Sequence, residues 1–310
     1  MNRIALLALL ASSCASLPAA PAHASVPPVV TGPDLEICWI DTGGVNVSGG
    51  YGAGGSVTAP TWEVTAAALL VRHPDGDLLI DTGLSPTAQQ DAESIHGWRR
   101  FVFNQTAGQN KPRRSVPDAL KALGVTKLKA VVLSHAHADH AGGLTVIPDV
   151  PVWVASAEKD FIETNEKAVV MPAHAEAMRG RLVPIAFDEK PYANSDRSFD
   201  VFGDGRVVIV PTPGHTPGSV ATFIAVRPDK RLVHVGDLIN LTESIERKVG
   251  KSWLMRMLTD EDDAATAREV AKLVQLHEQD PALVILPAHD RPAFVKLFGE
   301  DGNGPPPCLR

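Results

Sequence analysis

Short apolar runs rich in β-branched residues punctuate the chain: Leu35–Ile40, Val64–Arg72, Leu78–Asp81, Ala130–Leu133, Val152–Ala155, Val207–Val210, Val220–Val226, Leu232–Val235 and Leu283–Leu286. Each has strand length and ends in turn-forming residues. His73–Asp77 predicts a hairpin turn, with Asp75-Gly76 able to take positive φ; Phe202–Gly205 and Pro228–Lys230 predict two more. Helical patterns fill the gaps. Ser115 before Val116-Pro117-Asp118, with a closing Gly124, predicts a capped helix. Ser156 predicts the cap of a second. The clearest helix starts near Thr259: its first turn is acidic, which suits the helix dipole, and Ala267, Val270, Ala271 and Val274 fall at i, i+3, i+4 and i+7. This order predicts two sheets with helices on the outside, in one compact domain. The Gly-rich stretch 47–56 matches no phosphate-loop spacing and reads as a mobile loop.

Composition narrows the class. Of 310 residues, 44% are apolar and 21% charged, enough for a sizeable core. The formal net charge of −7, without a basic block, argues against a nucleic-acid partner. At the N-terminus, Arg3, the apolar run Ile4–Ala11 and small residues ending Ala22-His23-Ala24 read as a secretory signal peptide over 1–24. The run is too short to span a membrane, and no other segment is long and apolar enough. Lipid attachment at Cys14 is the poorer reading. The expected organisation is a leader (1–24), an exported, soluble domain (25–300) bound for periplasm or medium, and a tail (301–310), flexible unless Cys308 pins it. Cys38 and Cys308 either pair in an oxidising compartment or remain a buried thiol and a free one. Neither has a zinc-type spacing.

Candidate chemistry concentrates in Leu133–Gly143, LSHAHADHAGG, directly after a predicted strand. His135 and His137 are two apart, so an extended backbone points them the same way. Asp139 and His140 are offset and need not reach the same ion. Neither pair completes a site, so further ligands are expected at strand ends. His215 follows Val207–Val210, Asp237 follows Leu232–Val235, and His289 follows Leu283–Leu286. Catalytic zinc takes three protein ligands and keeps one position open. Seven residues serve two such ions if one carboxylate bridges, and Asp237 is the choice. His73, His96, His174, His234 and His277 read as ordinary solvated histidines.

SHAHADHAGG, PTPGHTPG, the Gly-Asp at 236–237 and PAHD resemble the metallo-β-lactamase superfamily over most of the chain. The resemblance implies an α/β fold: a four-layer αβ/βα sandwich of two mixed sheets, with the metal site at one sheet edge. It implies two Zn2+ per chain. His135, His137 and His215 would hold one, and Asp139, His140 and His289 the other, with Asp237 between. The match extends to LIDTG (79–83), where Asp81 would orient a ligand histidine. Two such ions, about 3.5–4 Å apart, activate a bridging water to hydroxide and polarise a carbonyl, with Asp139 or Asp237 carrying a proton to the leaving group. That is ester, lactone or amide hydrolysis, and no G-x-S-x-G elbow offers a serine alternative.

Within the superfamily, His137 in place of a glutamate argues against di-iron oxygen reductases, and the absence of a ligand cysteine argues against the commonest zinc β-lactamases. The exported lactonase branch fits best, with an N-acyl homoserine lactone as the expected small-molecule substrate. Organophosphates, aryl esters or β-lactams are the alternative. A mononuclear-iron sulfur dioxygenase and a non-catalytic metal binder are further readings. One departure bears on the substrate. Bacillus-type lactonases carry a tyrosine three residues after the bridging aspartate, where this chain has Asn240, and only Tyr51 and Tyr192 are available to replace it. Trp253, Leu254, Met255 and Met257 read as core packing or a homodimer contact, with an acyl-chain pocket as the alternative.

Overall fold

The apolar run through residues 64–72 has no polar face, and the computed structural model shows what covers both sides. The structure describes residues 17–20, 26–28, 30, 32–48, 61–97, 100, 111–164 and 170–310. Among these, one sheet contains Glu36–Ser48 (β1), Thr61–Arg72 (β2), Leu78–Ile80 (β3), Lys111–Pro112 (β4), Ala130–Val132 (β5), Val152–Val154 (β6) and Leu182–Pro184 (β7). The other contains Phe199–Asp200 (β8), Val207–Pro211 (β9), Val220–Arg227 (β10), Lys230–His234 (β11) and Val284–Leu286 (β12). Cys308–Leu309 (β13) returns to the first. The strand orders are β13-β1-β2-β3-β5-β6-β7, with β4 on β1, and β12-β11-β10-β9-β8. Both sheets are mixed: β3, β5, β6 and β7 run parallel, as do β11 and β12, and the other pairs are antiparallel.

In β2, Ala67, Leu69 and Val71 join one apolar cluster while Ala68 and Leu70 join another. That is the period-two signature of a strand covered on both faces. The first cluster lies between the sheets, where Leu69, Ile80 and Val132 meet Ile209, Ile224 and Leu232. Each such large side chain contributes about 1.5–3 kcal/mol by leaving water. The second cluster packs the outer face of the first sheet against helices Val116–Ala122, Ser156–Thr164 and Pro172–Met178. A third packs the second sheet under Asp263–Gln279, through Val270, Leu273, Val274 and Leu276. The order helix, sheet, sheet, helix is the αβ/βα sandwich. Among the described residues the α-helices in chain order are Ala88–Asp91 (α1), Val116–Ala122 (α2), Ala138–Ala141 (α3), Ser156–Thr164 (α4), Pro172–Met178 (α5), Glu243–Glu246 (α6), Trp253–Thr259 (α7), Asp263–Gln279 (α8) and Arg291–Phe298 (α9).

Every predicted apolar run overlaps a strand, though β1, β2 and β11 extend beyond the runs that predict them. The strands β4, β7, β8 and β13 escape prediction because they are two or three residues long and half-exposed or exposed. Ser115 caps α2 through Asp118 N as expected, whereas α4 begins at Ser156 itself. The helix expected from Thr259 begins at Asp263 instead, and Thr259 is the last residue of a separate short helix, α7. Asp260 is extended, and Asp262 caps α8 by accepting from Ala265 N at 2.9 Å.

Three histidines read as solvated are buried: His73, His174 and His234. His73 stacks on Phe202 and contacts Asp204 at 3.0 Å, clipping two hairpin turns together. His174 meets Asp91 at 3.3 Å. His234 is the last residue of β11, paired with Thr222 of β10 and Leu286 of β12, and burial pushes it down to about 4. Cys38 and Cys308 form a disulfide, which pins the tail and pairs β13 with β1. Asp301 adds to this by accepting from Asp41 N at 3.0 Å. The leader's cleavage point, most of the Gly-rich loop and Tyr51 lie outside the described residues. No helix among the described residues is long and apolar enough to cross a membrane.

Candidate metal centre

Four strand ends converge. β5 runs into Ser134 and His135, β9 is followed by His215, β11 by Asp237, and β12 by His289. After His137 the chain turns into α3, which carries Asp139 and His140 away from the direction of the first two histidines. Gly143 lets this turn press on the Asp81 loop: a Cβ there would lie 2.3 Å from the Thr82 carbonyl. Thr82 N and Oγ1 both donate to the His140 carbonyl, at 2.7 and 2.8 Å.

The seven predicted residues all come together. His135, His137, His215 and Asp237 form one group, and Asp139, His140 and His289 another; within each, ligand atoms lie within 4.8 Å of one another. In the first, His135 Nε2 lies 3.0 Å from His137 Nδ1, and His215 Nε2 lies 3.2 and 2.9 Å from these two atoms. In the second, His140 Nε2 and His289 Nε2 are 3.3 Å apart, with Asp139 Oδ2 3.6 Å from His289. Asp237 lies between. Its Oδ1 is 3.2 Å from His140 Nε2 and 3.1 Å from His289 Nε2, and its Oδ2 is 3.5 Å from His215 Nε2.

Partners behind the rings decide which nitrogen faces the centre. Asp81 Oδ2 accepts the Nδ1–H of His140 at 2.9 Å, the Thr65 carbonyl accepts that of His289 at 2.7 Å, and Asp260 Oδ1 accepts that of His215 at 2.8 Å. Carboxylates and carbonyls only accept, so each Nδ1 donates and each Nε2 is the nitrogen turned inward. His135 Nδ1 meets Ser134 Oγ at 3.2 Å. Ser134 Oγ and N are themselves spent on Asp81, at 2.7 and 2.6 Å. His137 is the exception and faces inward through Nδ1.

Burial disfavours a charged imidazole at His135, His137 and His215, and neighbouring cationic groups depress them further. Three neutral rings thus aim lone pairs at one point. Burial acts the same way on His140 and His289, but Asp237 outweighs it: His140 is held well above the ordinary range and His289 is pushed up to about 9. Burial also opposes charge on Asp237, yet His289 and His140 hold it well below the usual carboxylate range. Asp237 Oδ1 is buried and, though close to two imidazoles, makes no aligned hydrogen bond. This donor set of converging lone pairs and an unsatisfied carboxylate oxygen fits a pair of divalent cations.

Besides Ser134, four residues outside the predicted set build the surroundings. Asp260 orients His215, and Lys251 contacts Asp260, His215 and the Asp237 carbonyl. The Thr65 carbonyl orients His289. Glu158 Oε1 accepts from Ala136 N at 2.8 Å, and its Oε2 accepts from Thr216 Oγ1 at 2.6 Å and Gly218 N at 3.1 Å. It therefore ties the His135–His137 loop to the His215 loop, and burial pushes its carboxyl up to about 7. Asp260 was visible only as one of a run of acids, and the others had no local signal.

Of the predicted substrate contacts, Asn240 is buried, and no hydrogen bond joins it to the seven. Tyr192 packs on Phe223 in the outer cluster of the second sheet, which accounts for its role there. Trp253 and Met257 stand exposed on α7, whose residues are not core.

Comparison with known proteins follows this geometry. The profile of the family described as the metallo-beta-lactamase superfamily matches residues 61–289. The N-acyl homoserine lactonase AttM of Rhizobium radiobacter is 25% identical over 244 residues, covering 76% of this chain and 86% of its own. A probable metallo-hydrolase of Mycobacterium tuberculosis is 27% identical over 288 residues, covering 86% and 83%. Among solved structures, an N-acyl homoserine lactone hydrolase with N-hexanoyl-L-homoserine bound at its catalytic metal center is similar with a TM-score of 0.61 at 17% identity, over 84% of this chain and 95% of that one. The dizinc quorum-quenching lactonase AidC is similar with a TM-score of 0.52 at 21% identity, over 82% and 87%. At these identities the structural likeness is one of fold.

Proposed function

The chain belongs to the metallo-beta-lactamase superfamily and is a metal-dependent hydrolase, and we propose that it is an exported dinuclear zinc enzyme that opens a small lactone, an N-acyl homoserine lactone above all. The observation that carries this reading is the convergence of His135, His137, His215, Asp139, His140 and His289 on both sides of Asp237. His135, His137 and His215 would hold one ion and Asp139, His140 and His289 the other, with Asp237 shared. Two bound ions supply Lewis acidity to a substrate carbonyl and acidify water at neutral pH.

The rest falls to the chain. Asp81, Asp260 and the Thr65 carbonyl keep His140, His215 and His289 in the tautomer that turns Nε2 inward. Glu158 and Ser134 fix the loops that carry the ligands. His135, His140 and His215 are buried, whereas His137, Asp139 and Asp237 are partly open. Substrate reaches the centre on that open side. There the Asp139 carboxylate is placed to take a proton and return it to the leaving alkoxide.

The test is turnover of a long-chain N-acyl homoserine lactone by zinc-loaded protein beginning at Ser25, followed as proton release at constant pH. The expected kcat/KM exceeds about 10⁴ M⁻¹s⁻¹. Two ions per chain without lactone turnover would retain the dinuclear hydrolase and shift the substrate. Organophosphates and aryl esters are the second reading, favoured by Asn240, which leaves the position of the lactonase tyrosine without a phenol.

A further inference from the structure

Lys251 is a buried cation behind the three-histidine group. Its Nζ lies 3.0 Å from Nδ1 of His215 and 2.8 Å from the Asp237 carbonyl, and it is ion-paired with Asp260; both side chains of that pair are fully buried. The anion that orients His215 is therefore neutralised by a cation of the chain itself.

The other group is built differently. Asp81, behind His140, is also fully buried, and it accepts from Ser134 N, Ser134 Oγ and His140. The basic side chains near it among the described residues are histidines, His140 at 2.9 Å and His234 at 3.9 Å. No lysine or arginine among the described residues lies within ion-pair distance of it. Apart from Asp237, which belongs to the three-histidine group and also reaches His140 and His289, the ligand sets differ in the same sense: three imidazoles on one side, and two imidazoles with Asp139 on the other.

In a buried site, charges are little screened, and an ammonium against a ligand ring opposes an arriving dication while a carboxylate there favours it. We infer that Lys251 is a positioning residue that, through Asp260 and His215, makes the three-histidine group the weaker half of the centre, filled after the group of Asp139, His140 and His289. This rests on the dinuclear reading above. It assigns the Lys251–Asp260 pair a function beyond holding the loop: it sets the order in which the two ions enter and leave.

Two variants separate charge from scaffolding, because the proposal gives them opposite signs. Metal-free full-length protein is titrated with zinc against a chromophoric chelator, and the step lost in His215→Ala identifies the three-histidine group. Wild type takes up two ions in two steps, the later being the step lost in His215→Ala. Lys251→Met tightens that step by about tenfold, and Asp260→Asn weakens it by about 10–100-fold, while the earlier step stays in place. If the pair merely braces the loop, both variants weaken the later step, and the inference falls. It also falls if the later step survives in His215→Ala.

If Lys251→Met does not fold, the double variant with Asp260→Asn removes both buried charges. It should bind zinc more tightly at that step than Asp260→Asn alone, and equal affinity overturns the inference. Uptake of fewer than two ions by wild type overturns the dinuclear reading and this inference with it.

Discussion

Oδ2 of Asp81 lies 2.9 Å from Nδ1 of His140, although 59 positions separate the two residues. Asp81 adopts a left-handed backbone, φ 54°, which an aspartate or asparagine tolerates better than other side chains. Asp81→Asn therefore keeps the turn but replaces one acceptor oxygen with a donor. Zinc affinity is expected to fall about 10–100-fold, with circular dichroism unchanged. An affinity equal to wild type would show that the orienting bond contributes nothing.

His135→Ala and Asp237→Ala each remove a ligand from the proposed centre. Both are expected to abolish turnover, and zinc content measured on the folded variants should drop. Wild-type-like rates in either would remove the dinuclear mechanism.

Zinc uptake should be proton-coupled. In the metal-free protein, Asp237 outweighs burial at His289, raised to about 9, and at His140, raised well above its ordinary 6.5. Below those values each ring holds a proton that a metal ion must displace. Protons are therefore released on zinc binding at pH 8, and affinity declines as pH falls from about 9. Titration in two buffers of different ionisation enthalpy measures the release.

Glu158 makes stability depend on pH in the opposite sense to an ordinary paired carboxylate. Its carboxyl is raised from 4.5 to about 7, so between these values the folded protein holds a proton that the unfolded chain has released. Its contribution is complete below about 4.5 and lost as pH rises through about 7. Glu158→Gln removes this dependence. Urea denaturation at pH 5 and pH 8 should show wild type losing on the order of 3 kcal/mol relative to the variant. A parallel pair of profiles would refute the assignment.

Reduction of the Cys38–Cys308 bond should cost about 2–4 kcal/mol of stability. Cys308→Ser should reproduce the loss and be insensitive to reductant; thermal melts with and without reductant check both.

The parts legible in the sequence share a physical cause. β2 and β10 read as strands because both of their faces are buried, which demands an unbroken apolar run. The candidate ligands were legible because H-x-H-x-D-H and three further groups all follow such runs, and a strand end is a fixed place to aim a side chain. Asp260 was not legible: as one acid among several it looks like dipole compensation, and only the extended backbone at that residue turns it toward His215. Lys251, Glu158 and the Thr65 carbonyl act across long sequence separations that no local pattern encodes. His234 was misread because a histidine inside a strand has the same local signature whether its neighbours are water or Asp81.

The strand β13 gives assembly a direction. Cys308 is made 270 positions after the cysteine it joins, so the stretch of β1 edge that β13 covers stands open while those positions are made. An open edge is a template for pairing with a neighbouring chain. Only a copy that extends to Cys308 covers that edge and uses up the Cys38 thiol. A copy that stops short of Cys308 keeps both a sticky edge and a reactive sulfur, so it is marked for aggregation or mixed disulfides, while a copy that includes Cys308 closes into a ring.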